Sequence, residues 1–149
     1  LGMSESIRYR PDGKPDAAPD GRAVSAAHAG ELTLAVAGSG PLGCDVEPVA
    51  VRSAQTWRDL LGVERHTLAE VVARQTNEVF ENAATRVWSA GECLKKAGAA
   101  VGGPLLFDAA APDGWVLLRS GELVVATLVA RVRGAEAPLV FAALTRSPS

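Results

Sequence analysis

The sequence predicts an α+β domain, and three observations predict it. Short runs rich in Val, Leu and Ala, separated by turn residues, occupy both ends of the chain. The stretch from 52 to 100 carries its apolar residues at helical spacing. The order strands, helices, strands segregates the helices from a mostly antiparallel sheet. The chain has 149 residues, 48% hydrophobic and 21% charged, which is the balance of one globular domain. Its two cysteines, Cys44 and Cys93, are too few to build a disulfide scaffold. A net charge of −2 speaks against a broad nucleic-acid-binding face. No run approaches the roughly 18 apolar residues of a membrane span, and no charged, then apolar, then small-residue segment opens the chain. The expectation is a cytoplasmic protein without membrane or nucleic-acid partners.

Residues 1–22 contain "RPDGKPDAAPDG", in which Pro and Asp-Gly mark turns and almost nothing is apolar. They read as a linker or an extended tail before a domain over 23–149. "ELTLAVAG" (31–38) predicts a strand, "GSGP" (38–41) a turn, and "LGCDVEPV" (42–49) a second strand ending at Pro48. Together these predict an antiparallel hairpin, with His28 in the loop just before it. Ser53 is the expected N-cap of a first helix, with Trp57, Leu60 and Leu61 on its inner face. Gly62 breaks that helix. A second segment turns Leu68, Val71 and Val72 inward, and a third runs from Asn77 to Ala100 with Phe80, Ala83, Val87, Trp88 and Leu94 in its stripe. Gly98 and then Gly102-Gly103-Pro104 end it. Four β-rich runs follow: "PLLFDAA", "GWVLLRS", "ELVVATLVARVR" and "APLVFAALTR". Tight turns at 112–114 and 120–121 join them as antiparallel neighbours. A single unit of this size has little room for a deep, self-contained cleft.

Few residues here carry chemistry. There is no Cys-x-x-Cys, no Gly-x-Ser-x-Gly and no phosphate-binding loop leading into a helix. Asp45 and Glu47 stand at i and i+2, so on a strand both point to one face. Two readings of this pair stand: a solvated outer face, or paired oxygen ligands for a hard cation such as Mg²⁺. Trp88, Glu92 and Lys96 fall at i, i+4 and i+8 and share one helix face. Alone, Glu92 and Lys96 read as an exposed ion pair worth roughly 0.3 kcal/mol. Lys95 and His28, taken singly, read as ordinary surface residues.

The ordered set is more specific than its parts. "AHAG" (27–30), "GCDVE" (43–47) and "WSAGECLKK" (88–96) resemble the three motifs of the 4′-phosphopantetheinyl transferases. The resemblance covers about residues 24 to 100. The "YRPDGKP" lead-in, "GCDVEPV" and "ECLKKAG" resemble more closely the transferase domain of enediyne-type iterative polyketide synthases. Two positions depart from the pattern. Gly91 stands where the family usually has Lys before the helix glutamate, and Ala27 where Ser is common. A glycine in mid-helix also costs up to about 1 kcal/mol against Ala.

The resemblance implies a phosphopantetheinyl-transferase-like fold in a single α/β unit. It implies transfer of 4′-phosphopantetheine from coenzyme A to a serine of an acyl carrier protein in polyketide biosynthesis. Asp45, Glu47 and Glu92 would hold Mg²⁺, with Asp45, Glu92 and Lys96 catalytic and Glu92 taking the serine proton. His28, Lys95, Lys96 and Arg52 would contact the phosphates of coenzyme A. The partner carrier is typically acidic, and Arg52, Arg58, Arg65 and Arg74 offer it a basic surface or else form a solvated helix face. Since each motif occurs once, the resemblance implies a homotrimer with intersubunit active sites. The rival expectation is a non-catalytic homologue that binds coenzyme A or a carrier protein.

Overall fold

The computed structural model describes residues 11, 22–100 and 102–148. The linker or tail expected over 1–22 lies outside the described residues, save Pro11 and Arg22. The chain runs β1 (Ala23–Ala29), β2 (Leu32–Gly38), β3 (Gly43–Pro48), α1 (Ala54–Thr76) and α2 (Phe80–Lys96). Then come β4 (Leu106–Ala110), β5 (Val116–Ser120), β6 (Leu123–Ala130) and β7 (Leu139–Arg146). Among the described residues the strands form two antiparallel sheets, β1-β2 and β3-β7-β6-β5-β4. The architecture is α+β, as the run of apolar patterns predicts.

The expected hairpin of 31–38 with 42–49 does not form. β2 pairs with β1, from Leu32 opposite Ala29 to Gly38 opposite Ala23. β3 instead pairs with β7, Gly43 opposite Leu144 and Pro48 opposite Leu139. β1 escapes a propensity reading because "AVSAAHA" is mostly alanine, a weak strand former. What holds it is tertiary: Ala27 packs in one cluster with Cys44, Val46 and Leu139, flanked by Leu34 and Val36 of β2. His28 therefore lies inside a strand, not in a loop before the first one.

The helices follow their signals closely. Ser53 caps α1, its side chain accepting from the Thr56 backbone N–H at 3.1 Å. Gly62 takes the non-helical values φ 77 and ψ 168, so α1 consists of two helical segments that meet at a kink there, the break its glycine predicts. Asn77 closes α1 in the left-handed conformation, φ 53, which displaces the start of α2 from Asn77 to Phe80. α2 stops at Lys96, and Gly98 turns the chain away with φ 78.

The core lies between the helices and one face of the five-stranded sheet. Trp57, Leu68 and Val72 of α1 meet Ala83, Val87 and Cys93 of α2 over Leu118, Val125 and Leu144. Alanines at 83, 84 and 90 let α2 approach closely, and this helix also carries a buried arginine. Arg86, 4% exposed, bonds both carboxylate oxygens of Glu78 (2.9 and 3.2 Å), Thr127 O (2.8 Å) and Gly114 O (3.2 Å). Such a charge stays inside only because it is fully answered; breaking a pair of this kind costs about 3–5 kcal/mol. No helix among the described residues is long and apolar enough to cross a membrane.

Candidate functional site

The site is built where β3 runs against α2. Strand alternation sends Cys44 and Val46 toward the small sheet and Asp45 and Glu47 toward α2. The strand comes very close to the helix because Gly43 has no side chain: a Cβ there would collide with the backbone carbonyl of Cys93. Asp45 is consequently 5% exposed and Glu47 half-buried, so Asp45 does not lie on a solvated outer face.

Helical spacing brings Trp88, Ser89, Glu92 and Lys96 to the same seam. The Lys96 ammonium donates to Cys44 O at 2.9 Å and Ala26 O at 3.3 Å. It also stands 3.6 Å from Asp45 Oδ1. The expected Glu92–Lys96 pair is thus replaced. Glu92 Oε1 pairs with Lys95 Nζ at 2.8 Å, and that ammonium lies 5.6 Å from the centre of a Trp88 ring. Lys95 is the surface lysine its sequence suggests, and it pairs with the carboxylate that Lys96 leaves free.

The electrostatics are those of crowded acids. Burial raises the Asp45 carboxyl above its ordinary range and the Glu92 charge adds to this, while Lys96 and the nearby Ser89 hydroxyl oppose it. Burial likewise raises Glu47, with the Asp45 and Glu92 charges pushing the same way. Two buried polar atoms at the seam, Asp45 Oδ2 and Ser89 Oγ, have no hydrogen-bond partner. The hydroxyl is close enough to favour the carboxylate without closing a bond to it. Cys44 and Cys93 are free, buried and raised by burial, so both are neutral thiols and neither is a nucleophile.

Asp45, Glu47, Glu92, Lys95 and Lys96 are brought together; His28 and Arg52 are not. His28 is exposed on β1, with Nδ1 2.9 Å from Thr33 Oγ1. Its link to the seam is indirect, through Ala26 O two residues back on the strand. Arg52 is exposed before α1, its guanidinium 5.6 Å from the Trp57 ring centre. Ser89 was missed in the sequence, although it sits one turn before Glu92 and Cys93 on the buried side of the helix.

The donor chemistry fits a hard divalent cation. All three acids offer oxygen, Asp45 Oδ2 is unanswered, and mutual repulsion among the three would be relieved by added positive charge. In this structure no three His, Cys, Asp or Glu side chains among the described residues stand close enough to hold a metal ion. No protein-family model matches the chain, and no curated protein matches it. Two cavities of ≈ 680 Å³ flank the fold, one beside the α1 kink and one beside the β6–β7 loop. Neither is lined by Asp45, Glu92 or Lys96, so the seam lies apart from both cavities.

Proposed function

We propose that the β3–α2 seam is the active site of a 4′-phosphopantetheinyl transferase acting on an acyl carrier protein, in the setting of an enediyne-type polyketide synthase. One observation carries the reading: motifs far apart in sequence meet, with Asp45 and Glu47 of one facing Glu92 and Lys96 of another around an unanswered buried oxygen. In the proposed reaction the carrier serine Oγ attacks the β-phosphorus of coenzyme A. An O–P bond forms to the serine, and the bond from phosphorus to adenosine 3′,5′-bisphosphate breaks. Glu92 takes the serine proton. Drawn closer than they stand here, Asp45, Glu47 and Glu92 would hold Mg²⁺, which would neutralise pyrophosphate charge.

Lys96 contributes fixed positive charge beside Asp45. Its carbonyl bonds hold the ammonium in place before any ligand arrives, the preorganisation that makes such charge effective. His28 and Arg52 are the outlying candidates for phosphate contact. The proposed partner assembly is a homotrimer. The sheet face away from the helices carries Leu117, Ala126, Leu128 and Ala143, all half-buried, and the small sheet packs chiefly over β3, reaching β7 at Leu139 and Phe141.

The test is a mass measurement on apo carrier protein incubated with coenzyme A, Mg²⁺ and this protein. A gain of roughly 340 Da reports transfer. Asp45→Ala and Glu92→Ala should abolish it while the domain stays folded. Normal modification rates in both variants would overturn the assignment of these carboxylates. A second reading, a non-catalytic binding module, is favoured by Gly91, which stands where the family usually has a lysine; it predicts coenzyme A binding with no mass gain.

A further inference from the structure

Gly91 is buried in the middle of α2, where glycine is a poor helix former. The structure gives it a reason. A Cβ at this position would collide with Nη1 of Arg65, which reaches across from α1. Arg65 follows the Gly62 kink by three residues and is half-buried. Among the described residues, no hydrogen bond or ion pair engages its guanidinium. Its nitrogens are not sealed from solvent, so the guanidinium is open to a ligand. The contrast with Arg86 is direct, since every face of that guanidinium is answered.

Arg65 and Lys95 line one small cavity of ≈ 220 Å³, floored by Gly91 and closed by Leu61, Leu94 and Ala99. Two cations and no acid line it, and Lys95 connects it to the seam through its 2.8 Å bond to Glu92. The volume admits a phosphate group and excludes a larger ligand from entering whole. A guanidinium presents a planar fork of donors that matches phosphate oxygens two at a time, and an ammonium beside it adds a point charge. We propose that Arg65 and Lys95, seated over Gly91, form a binding site for a phosphate group next to the β3–α2 seam. The seat stands on this geometry alone. Only its assignment to a phosphate of the nucleotide donor rests on the transferase reading, in which it supplies the cation that Gly91 leaves absent from α2.

The probe is inorganic pyrophosphate, titrated calorimetrically into the full chain without added divalent metal, while the Arg65 Nε–H resonance is followed. The expected result is saturable binding with a shift of that resonance. Arg65→Gln should weaken binding roughly tenfold or more, the loss of a charge-assisted pair. Gly91→Ala should weaken it too by pushing the guanidinium aside, a small movement of a flexible side-chain end that leaves the fold intact. Restoring a cation in the double variant Arg65→Gln with Gly91→Lys should recover part of the affinity. Wild-type protein that does not bind pyrophosphate, or folded Arg65→Gln that binds it as tightly as wild type, would overturn the seat. The carrier mass assay separates the two proposals. Transfer that persists with no pyrophosphate binding sinks the seat alone. Arg65-dependent binding with no transfer by wild type keeps the seat and sinks the transferase reading.

Discussion

Asp45 has one oxygen facing the Lys96 ammonium and one facing nothing, and the balance is unfavourable to the carboxylate. Its ordinary value of 3.8 is raised in the fold by burial and by the Glu92 charge. The native state therefore holds this proton over a pH range where the unfolded chain has already released it. Stability must fall as pH climbs from about the ordinary carboxylate range through the raised native value. Asp45→Asn removes the penalty, and Lys96 keeps its two carbonyl partners. The variant is expected to melt higher at neutral pH, to lose much of that pH slope, and to be inactive in carrier modification. A lower melting temperature with the slope unchanged would contradict this account. The acids themselves were legible in sequence, since alternation on a strand and four-residue spacing on a helix place side chains without knowledge of the fold. Their partners were not. Glu92 reaches Lys95 and Lys96 equally well along a helix, and what decides between them is a pair of backbone carbonyls on β1 and β3. Arg65 was hidden for the same reason: the mid-helix glycine was visible, and what occupies its empty space was not.

At the scale of elements, the seam depends on how closely β3 approaches α2. Gly43 sets that distance, and its neighbour is the backbone oxygen of Cys93, which cannot swing aside as a side chain would. Gly43→Ala should therefore destabilise the domain by about 1–3 kcal/mol, seen as an earlier denaturant midpoint. It should also reduce transfer in the fraction that remains folded, because Asp45 is moved off α2. A variant with wild-type stability and activity would show that the strand can retreat without consequence. The helix cap at Ser53, the Gly62 kink and the four strands after residue 104 were all readable, being written in local signals of capping, backbone conformation and alternation. β1 was not, since alanine carries little strand preference and its place is fixed by packing against Cys44 and Val46. Missing β1 led directly to the wrong partner for β2: without it, the nearest apolar run in sequence is β3.

For the whole molecule, the sheet is covered unequally. Both helices bury one face, while on the other the small sheet packs chiefly on β3 and reaches β7 at Leu139 and Phe141. The half-buried Leu117, Ala126 and Leu128 beyond it are the surface that the proposed trimer would use. Sedimentation or light scattering should report a trimer. A charged substitution at this surface, Leu128→Glu, should dissociate it and lower transfer, with the isolated subunit still folded. A fully active monomer would remove the basis for sites shared between subunits.

Lys96 also bears on the order in which the molecule assembles. The β1–β2 hairpin and the β4–β5–β6 meander pair residues close in sequence, so they close early at little entropic cost. The bond from Lys96 to Ala26 spans 70 residues, and that to Cys44 spans 52. The first contact requires β1 to dock beside β3, and the second requires β3 to lie against α2. The ammonium finds its final place only when β1, β3 and α2 have met, so the charge pattern of the seam depends on contacts between parts of the chain far apart in sequence.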